Sequence, residues 1–200
     1  MKKKIIFIII LFLIIGLLFL GFINYKNKNK KHTLSFNYFD NDIIINIYNT
    51  KNTKILKQIK EIYKEYDHLI DKENKYDGVN NLYYILYNDS KEESIKIDKK
   101  LYKMIESGKE WYQKSDGLID ISKGSVADIW KMYRDSTTGV PTTFELKRAD
   151  INNINDIELL KNTKIKNNHV SMELSDIAKG FATSEVTKLL EKNNIDEYLI

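Results

Sequence analysis

Two short segments hold the residues of this chain best suited to handling a ligand, Ser115–Trp130 (SDGLIDISKGSVADIW) and Leu174–Ala182 (LSDIAKGFA). In the first, Gly117 follows an amphipathic stretch at the position where a left-handed helix cap is common. Asp120 comes just after the apolar pair Leu118 and Ile119. A carboxylate there could accept hydrogen bonds from the N–H groups of a ligand ring, although a turn aspartate satisfied by its own backbone fits the same residues. In the second, Ser175 or Asp176 could cap a helix opening at Ile177, and Gly180 and Ala182 keep its first turns slim. A helix start of this kind offers free N–H groups and a positive dipole end to an anion, and Lys179 adds a charge suited to a diphosphate. A plain helix start with an exposed lysine fits these residues equally.

Other chemistries are excluded or poorly supported. No cysteine is present, so disulfides, thiolate metal sites, a cysteine nucleophile and a lipid-modified N-terminal cysteine are ruled out. His32, His68 and His169 are scattered without metal spacing, and His68 falls beside the apolar stripe of a helix. Ser122 and Ser125 have no recognisable base nearby. Neither a P-loop nor a dinucleotide fingerprint occurs. Tyr83, Tyr84 and Tyr87 read as packing residues.

The elements that must position the two segments follow from periodicity. Ile43–Tyr48 (IIINIY) predicts a strand with Ile43, Ile45 and Ile47 on one face and Asn46 opposite. Thr53 is placed to cap a helix whose stripe is Ile55, Ile59, Ile62, Tyr66 and Leu69. Residues 71–89 read as irregular, and Ser94–Ile97 as a short strand. Asp98–Lys114 predicts a second helix with Leu101, Met104, Ile105, Gly108 and Trp111 inward. Thr142 and Glu145 have capping-box spacing for a short helix ending near Asn152–Asn153. Lys164–Leu174 reads as a hairpin turning at Asn167–Asn168, with Val170, Met172 and Leu174 alternating. Ala178–Lys192 predicts a third long helix with Ala178, Ala182, Val186 and Leu189 inward. Tyr198, Leu199 and Ile200 open an apolar strand. A buried strand left unpaired there is costly, so partner strands are expected from a longer chain or from elsewhere.

The 200 residues suit one domain plus an accessory segment, and 42% hydrophobic with 30% charged residues is ordinary globular composition. The net charge of +4 owes three units to Lys2, Lys3 and Lys4; the remainder holds 29 basic and 28 acidic residues, so no basic surface for nucleic acid is expected. Ile5–Ile23 is nineteen residues without a charge, long enough to span a bilayer core of about 30 Å at about 1.5 Å per residue. The lysines before it favour a cytoplasmic N-terminus and a single-pass protein of the cell membrane with its domain on the extracytoplasmic side. A cleaved signal peptide is the rival, but FINYKNKNK after Gly21 makes a poor cleavage site. The domain boundaries expected are 1–23 for the anchor, 24–35 for a polar linker and 36–200 for the remaining domain.

In order and spacing the segments resemble the flavin transferases of the ApbE type (FAD:protein FMN transferases). Phe39-Asp40-Asn41 before IIINIY is similar to the family's opening element, and Tyr76 ahead of Asn80–Ile85 to its aromatic loop. SDGLIDISKGSVADIW matches the family's central motif through Trp130, with Ser125 in place of a proline and Lys131 in place of a glycine. ELSDIAKGFA, Glu173–Ala182, matches its last motif here, with Glu173 in place of an aspartate and Asp176 in place of a small residue. The resemblance implies an α+β fold with helices packed on a mixed or antiparallel sheet. It implies FAD as substrate, held by Phe39, Tyr76, Leu118, Ile119, Asp120 and Lys179. It implies Mg2+, with Asp176 among its ligands, and transfer of FMN to a threonine or serine of an acceptor flavoprotein with release of AMP. The family's remaining metal ligands, an Asp and a Thr, belong to a C-terminal half expected beyond Ile200, so the chain alone is expected to be inactive or weak. The alternatives are a membrane-anchored flavin-binding module without transfer, or a truncated remnant.

Overall fold

The computed structural model describes residues 2–28, 31–48, 50, 52–87, 94–136 and 139–200; within α1, the side chains of residues 2–9, 24 and 26–28 lie outside the description. Its contacts divide the chain into two compact units, residues 1–60 with 187–200, and residues 61–186.

In the first unit, helix α1 runs Lys2–Lys28. Its described side chains from Ile10 to Ile23 are exposed and apolar, for example Phe12, Leu17 and Phe19. Among the described residues no helix is long and apolar enough to cross a membrane. Strands β1 (Lys31–Tyr38) and β2 (Asn41–Tyr48) follow. The residues read as a polar linker, 24–35, are therefore largely the end of α1 and most of β1. Alternation along KHTLSFNY, half-buried at every second residue, was the missed signal. β1 and β2 pair antiparallel in full register from Lys31↔Tyr48 to Tyr38↔Asn41. The two-residue turn between them, Phe39-Asp40, has positive φ at both positions (56° and 54°), as a primed hairpin turn requires. Phe39 is 5% exposed. The Asn41 side-chain amide donates to its carbonyl at 2.5 Å. Ile45 and Ile47 are fully buried, and Asn46 opposite them is also covered, accepting from Thr33 Oγ1 at 2.8 Å. β6 (Tyr198–Leu199) pairs antiparallel with β2, completing the sheet order β1-β2-β6.

Helix α2 (Lys54–Ile70) buries Ile55, Ile59, Tyr63, Tyr66 and Leu69. Tyr63, four residues after Ile59, takes the deep position expected of Ile62, which is half-buried.

In the second unit the stretch expected to be irregular holds helix α3 (Leu82–Tyr87), whose Leu82 and Ile85 are buried. Buried Asn81 supports its start by accepting from the Tyr84 N–H at 3.1 Å. Strand β3 (Ile95–Lys96) leads to helix α4 (Lys99–Lys114), capped by Asp98, whose carboxylate accepts from the Lys100 N–H at 2.6 Å. Leu101, Met104, Ile105 and Gly108 are buried as expected, but Trp111 is 49% exposed, with the Lys114 ammonium 5.5 Å from its ring centre. Helices α5 (Gly124–Ser136) and α6 (Thr143–Ala149) pack together, and Tyr133 Oη donates to Glu145 Oε1 at 2.8 Å. The capping box forms as read, Thr142 and Glu145 each satisfying the other's backbone N–H. The helix it opens ends at Ala149, earlier than expected.

Strands β4 (Ile157–Leu160) and β5 (Lys164–Asn167) make a hairpin that turns over Lys161–Thr163, not at Asn167–Asn168. Asn162 and Thr163 carry the positive φ values of that turn, 61° and 57°. β-branched Thr163 is a poor sequence signal for such a backbone, so the Asn-Asn pair looked the better corner. β3 pairs with the other edge of β5, giving the order β3-β5-β4. Val170, Met172 and Leu174 alternate into the core as expected, in an extended segment without strand pairing. Helix α7 (Ser175–Lys192) buries Ala178, Ala182, Val186 and Leu190; Leu189 is half-buried. Among the described residues the strand pairs are all antiparallel, and with the helices they make an α+β architecture.

Candidate functional site

α4 stops through backbone conformation. Asp116 and Gly117 both take positive φ (51° and 83°), and the Gly117 N–H returns to the Tyr112 carbonyl at 2.8 Å. Ser115 Oγ accepts from the Ile119 N–H at 2.9 Å, closing the corner. Leu118 projects from it at 89% exposure with Ile119 beside it at 44%, so neither serves the core. Asp120 is partly spent on the fold. Its Oδ1 accepts from the backbone N–H and the hydroxyl of fully buried Ser122, at 2.9 and 2.7 Å. Its Oδ2 lies 3.5 Å from Lys123 Nζ and keeps accepting capacity. Lys123 also bonds Asp150 at 2.5 Å, and this carboxylate contact, foremost, holds the ammonium pKa above its ordinary value.

The second segment meets the first through backbone. The Glu173 N–H donates to the Ile121 carbonyl at 2.9 Å, and the Gly124 N–H to the Ser171 carbonyl at 3.0 Å. Gly108 on α4 brings the two segments together from beneath. A Cβ there would fall 2.6 Å from Ile121 and 3.1 Å from Ile177. Gly124 is tighter still, since a Cβ would meet the Ser171 carbonyl oxygen at 2.5 Å.

The start of α7 departs from expectation. Neither Ser175 nor Asp176 caps it. Glu173 does, its carboxylate accepting from the Ser175 N–H at 2.9 Å. The sequence gives little warning, because an acidic cap two residues before the first helical N–H lies outside the usual capping spacings. The helix start thus already carries one carboxylate on its free N–H groups. Asp176 adds a second, 98% exposed, with Oδ1 2.9 Å from Lys179 Nζ. Lys179 is 34% exposed, and Gly180 next to it has open space where a side chain would stand. Mg2+ takes about six oxygen ligands, of which Asp176 by itself would supply one. Among the described residues no group of three or more His, Asp or Glu side chains could hold a metal ion.

Tyr76 stands in the loop after α2, where four hydrogen bonds converge on Asp71. Asp71 Oδ1 accepts from the N–H groups of Glu73 and Asn74, and Oδ2 from the Asn74 amide and, at 2.7 Å, from Tyr76 Oη. Burial alone would raise the Asp71 pKa, but these donors hold it below the ordinary value. Burial and the same carboxylate push the Tyr76 phenol upward. The Tyr76 ring stacks on His68 with centroids 3.8 Å apart and planes 3° from parallel, and the Tyr76 backbone bridges to Val79. A pocket of about 500 Å3 opens beside this group, lined by His68, Leu69, Gly78, Val79, Asn80 and charged residues including Glu65 and Lys96. His68 was expected as a structural residue beside the helix stripe and Glu173 only as a motif position, while Asp71 was left unassigned; Asp71, five residues before Tyr76, was the most legible. Phe39 belongs to the first unit, at its buried hairpin tip.

Residues 39–200 match the model of the ApbE family. A FAD:protein FMN transferase of Buchnera aphidicola is 29% identical over 112 residues, 52% of this chain and 33% of that protein. The structure resembles a flavin transferase ApbE from Vibrio cholerae with a TM-score of 0.69 at 16% identity, covering 84% of this chain and 56% of that one. It resembles the ApbE protein of Thermotoga maritima with a TM-score of 0.65 at 18% identity, covering 81% and 53%. The chain thus spans a third of that curated relative and somewhat over half of the solved chains. The structural likeness is one of fold. With the family model matching residues 39–200, most of its length, the chain belongs to the ApbE family.

Proposed function

We infer that this chain supplies the flavin-holding part of a transferase that moves FMN from FAD to a threonine or serine hydroxyl of an acceptor flavoprotein. The observation that carries the reading is the Ile121–Glu173 backbone hydrogen bond. It fastens the corner bearing Leu118, Ile119 and Asp120 to the helix bearing Lys179. In this reading the exposed Leu118 and Ile119 give apolar contact to a flat ring, Asp120 Oδ2 accepts from a ring N–H, and Tyr76 adds aromatic surface. Lys179 stands against the diphosphate. The hydroxyl oxygen attacks the FMN phosphorus and loses its proton to water, a new P–O bond forms, and the phosphoanhydride bond breaks with its electron pair leaving on AMP. What these residues contribute is binding and alignment of FAD for that displacement. Mg2+ belongs to the same reading as the ion to which Asp176 would give one ligand, the others coming from outside the described residues.

The test is incubation of the purified protein with FAD, Mg2+ and a protein bearing an acceptor threonine, read as flavin fluorescence on the acceptor after denaturing electrophoresis. Transfer by the whole-length protein with little or none by the 200-residue chain is the expected outcome. Absence of both transfer and FAD binding sinks the reading; FAD binding without transfer favours the flavin-binding module. Lys179→Ala is expected to weaken FAD binding about tenfold, the loss of one charge-assisted contact of roughly 1.4 kcal/mol. An unchanged affinity removes Lys179 from the site.

Membrane attachment through α1, with the remainder on the extracytoplasmic side, is part of the proposal. It is supported by the charge-free run Ile5–Ile23 after three lysines and by the exposed apolar side chains of α1. The expected result is that the protein stays in the membrane fraction after alkaline carbonate. Its release into the supernatant would refute the anchor.

A further inference from the structure

We propose that His68 is a positioning residue for FAD, acting through Tyr76 as a rigid backing plate for the aromatic platform. The inference rests on the reading of Tyr76 as a flavin contact.

Three restraints fix the Tyr76 ring. Its hydroxyl is tied to Asp71 at 2.7 Å, its backbone bridges to Val79, and one ring face lies on the His68 imidazole, 3.8 Å away and 3° from parallel. Asp71 is itself immobilised by the Glu73 and Asn74 donors, so the hydroxyl anchor is stiff. His68 stands on helix α2, between Asp67 and buried Leu69. It is thereby held by a regular element, whereas Tyr76 sits in a loop. The Tyr76 side chain remains half-exposed with His68 covering one face. A flat ring ligand arriving on the remaining surface meets an aromatic already set in its plane, and less side-chain entropy is lost on binding. Two carboxylates flank the site of anchoring, Asp71 bonded to the phenol and Asp67 close enough to act on its charge. Burial first, and then these carboxylates, push the phenol further from ionisation, so it stays a donor to Asp71 and the ring stays fixed.

The experiment compares FAD affinity, by flavin fluorescence titration, for the whole chain and for His68→Leu, His68→Phe and Tyr76→Ala. Leucine fills the space without a π face; phenylalanine restores the stack. His68→Leu is expected to bind FAD about tenfold more weakly, the upper worth of an aromatic pair. His68→Phe is expected to stay within about twofold of the parent. The visible absorption band of bound flavin should shift in His68→Leu and hold its place in His68→Phe, a signature that general loosening of the fold would not sort by aromaticity. Equal affinities for the parent and His68→Leu, or equal losses in His68→Leu and His68→Phe, overturn the proposal. If Tyr76→Ala binds like the parent, or the parent does not bind FAD, the flavin reading of Tyr76 falls and this inference falls with it. Loss in Tyr76→Ala beside an unaffected His68→Leu sinks the inference alone.

Discussion

Gly124→Ala is expected to lower stability by about 3 kcal/mol, because it forces one methyl group into a packed junction. The added carbon would stand 2.5 Å from the Ser171 carbonyl oxygen, 2.6 Å from its carbon and 2.7 Å from its hydroxyl. Two of those atoms are backbone, so no rotamer change makes room. The segment before α7 must retreat, stretching the Gly124–Ser171 bond of 3.0 Å. For a chain of this length the shift is about 6–12 °C in thermal melting followed by circular dichroism. Gly180→Ala is the internal control. It lies inside α7 with nothing within 4 Å of the added carbon. There alanine is expected to stabilise by about 0.5–1 kcal/mol through helix propensity. Equal effects of the two substitutions would show that the Gly124 junction is not closed in solution.

Asp120→Ala is expected to abolish FAD binding and to cost about 3 kcal/mol of stability, since two donors of buried Ser122 lose their acceptor. The separate contributions are resolved by Asp120→Asn. The amide oxygen can still accept from Ser122, so the fold should lose no more than about 1 kcal/mol. The amide nitrogen then replaces Oδ2, the atom left for a ligand N–H, and puts a donor against a donor. Affinity for FAD is expected to fall about 100-fold, equivalent to roughly 2.7 kcal/mol for an unmatched buried polar pair. A fully folded Asp120→Asn protein that binds FAD like the parent would reduce Asp120 to a turn residue.

Much of this was legible in local chemistry. The stripes of α2 and α4, the Thr142–Glu145 box and the left-handed stop at Gly117 each follow from interactions within one or two helical turns. Such interactions are written in neighbouring residues. The misses share the opposite property. Trp111 satisfies the α4 stripe by spacing yet stays half-exposed, because tertiary neighbours decide which edge of a stripe is covered. β1 was hidden in a lysine- and asparagine-rich stretch whose partner, β2, had to be known before its alternation meant anything. The turn at Asn162–Thr163 is held by pairing on either side of it. At the site, the Ser122 donors on Asp120 and the His68 ring behind Tyr76 are unreadable without the fold. The spacing of Asp71 from Tyr76 could have suggested their bond.

The hydrogen bond from Glu173 to Ile121 also bears on how such a protein can be recombined. Ile121 and Glu173 are remote in sequence, yet they behave as one splice unit, since each supplies half of a seam whose other half is main chain. A chimera that took Ser115–Trp130 from one parent and Glu173–Ala182 from another would inherit an acceptable pair of peptide groups. It would not inherit the glycines and isoleucines shaped to each other around that seam, and crossover points are best kept outside both ends of it.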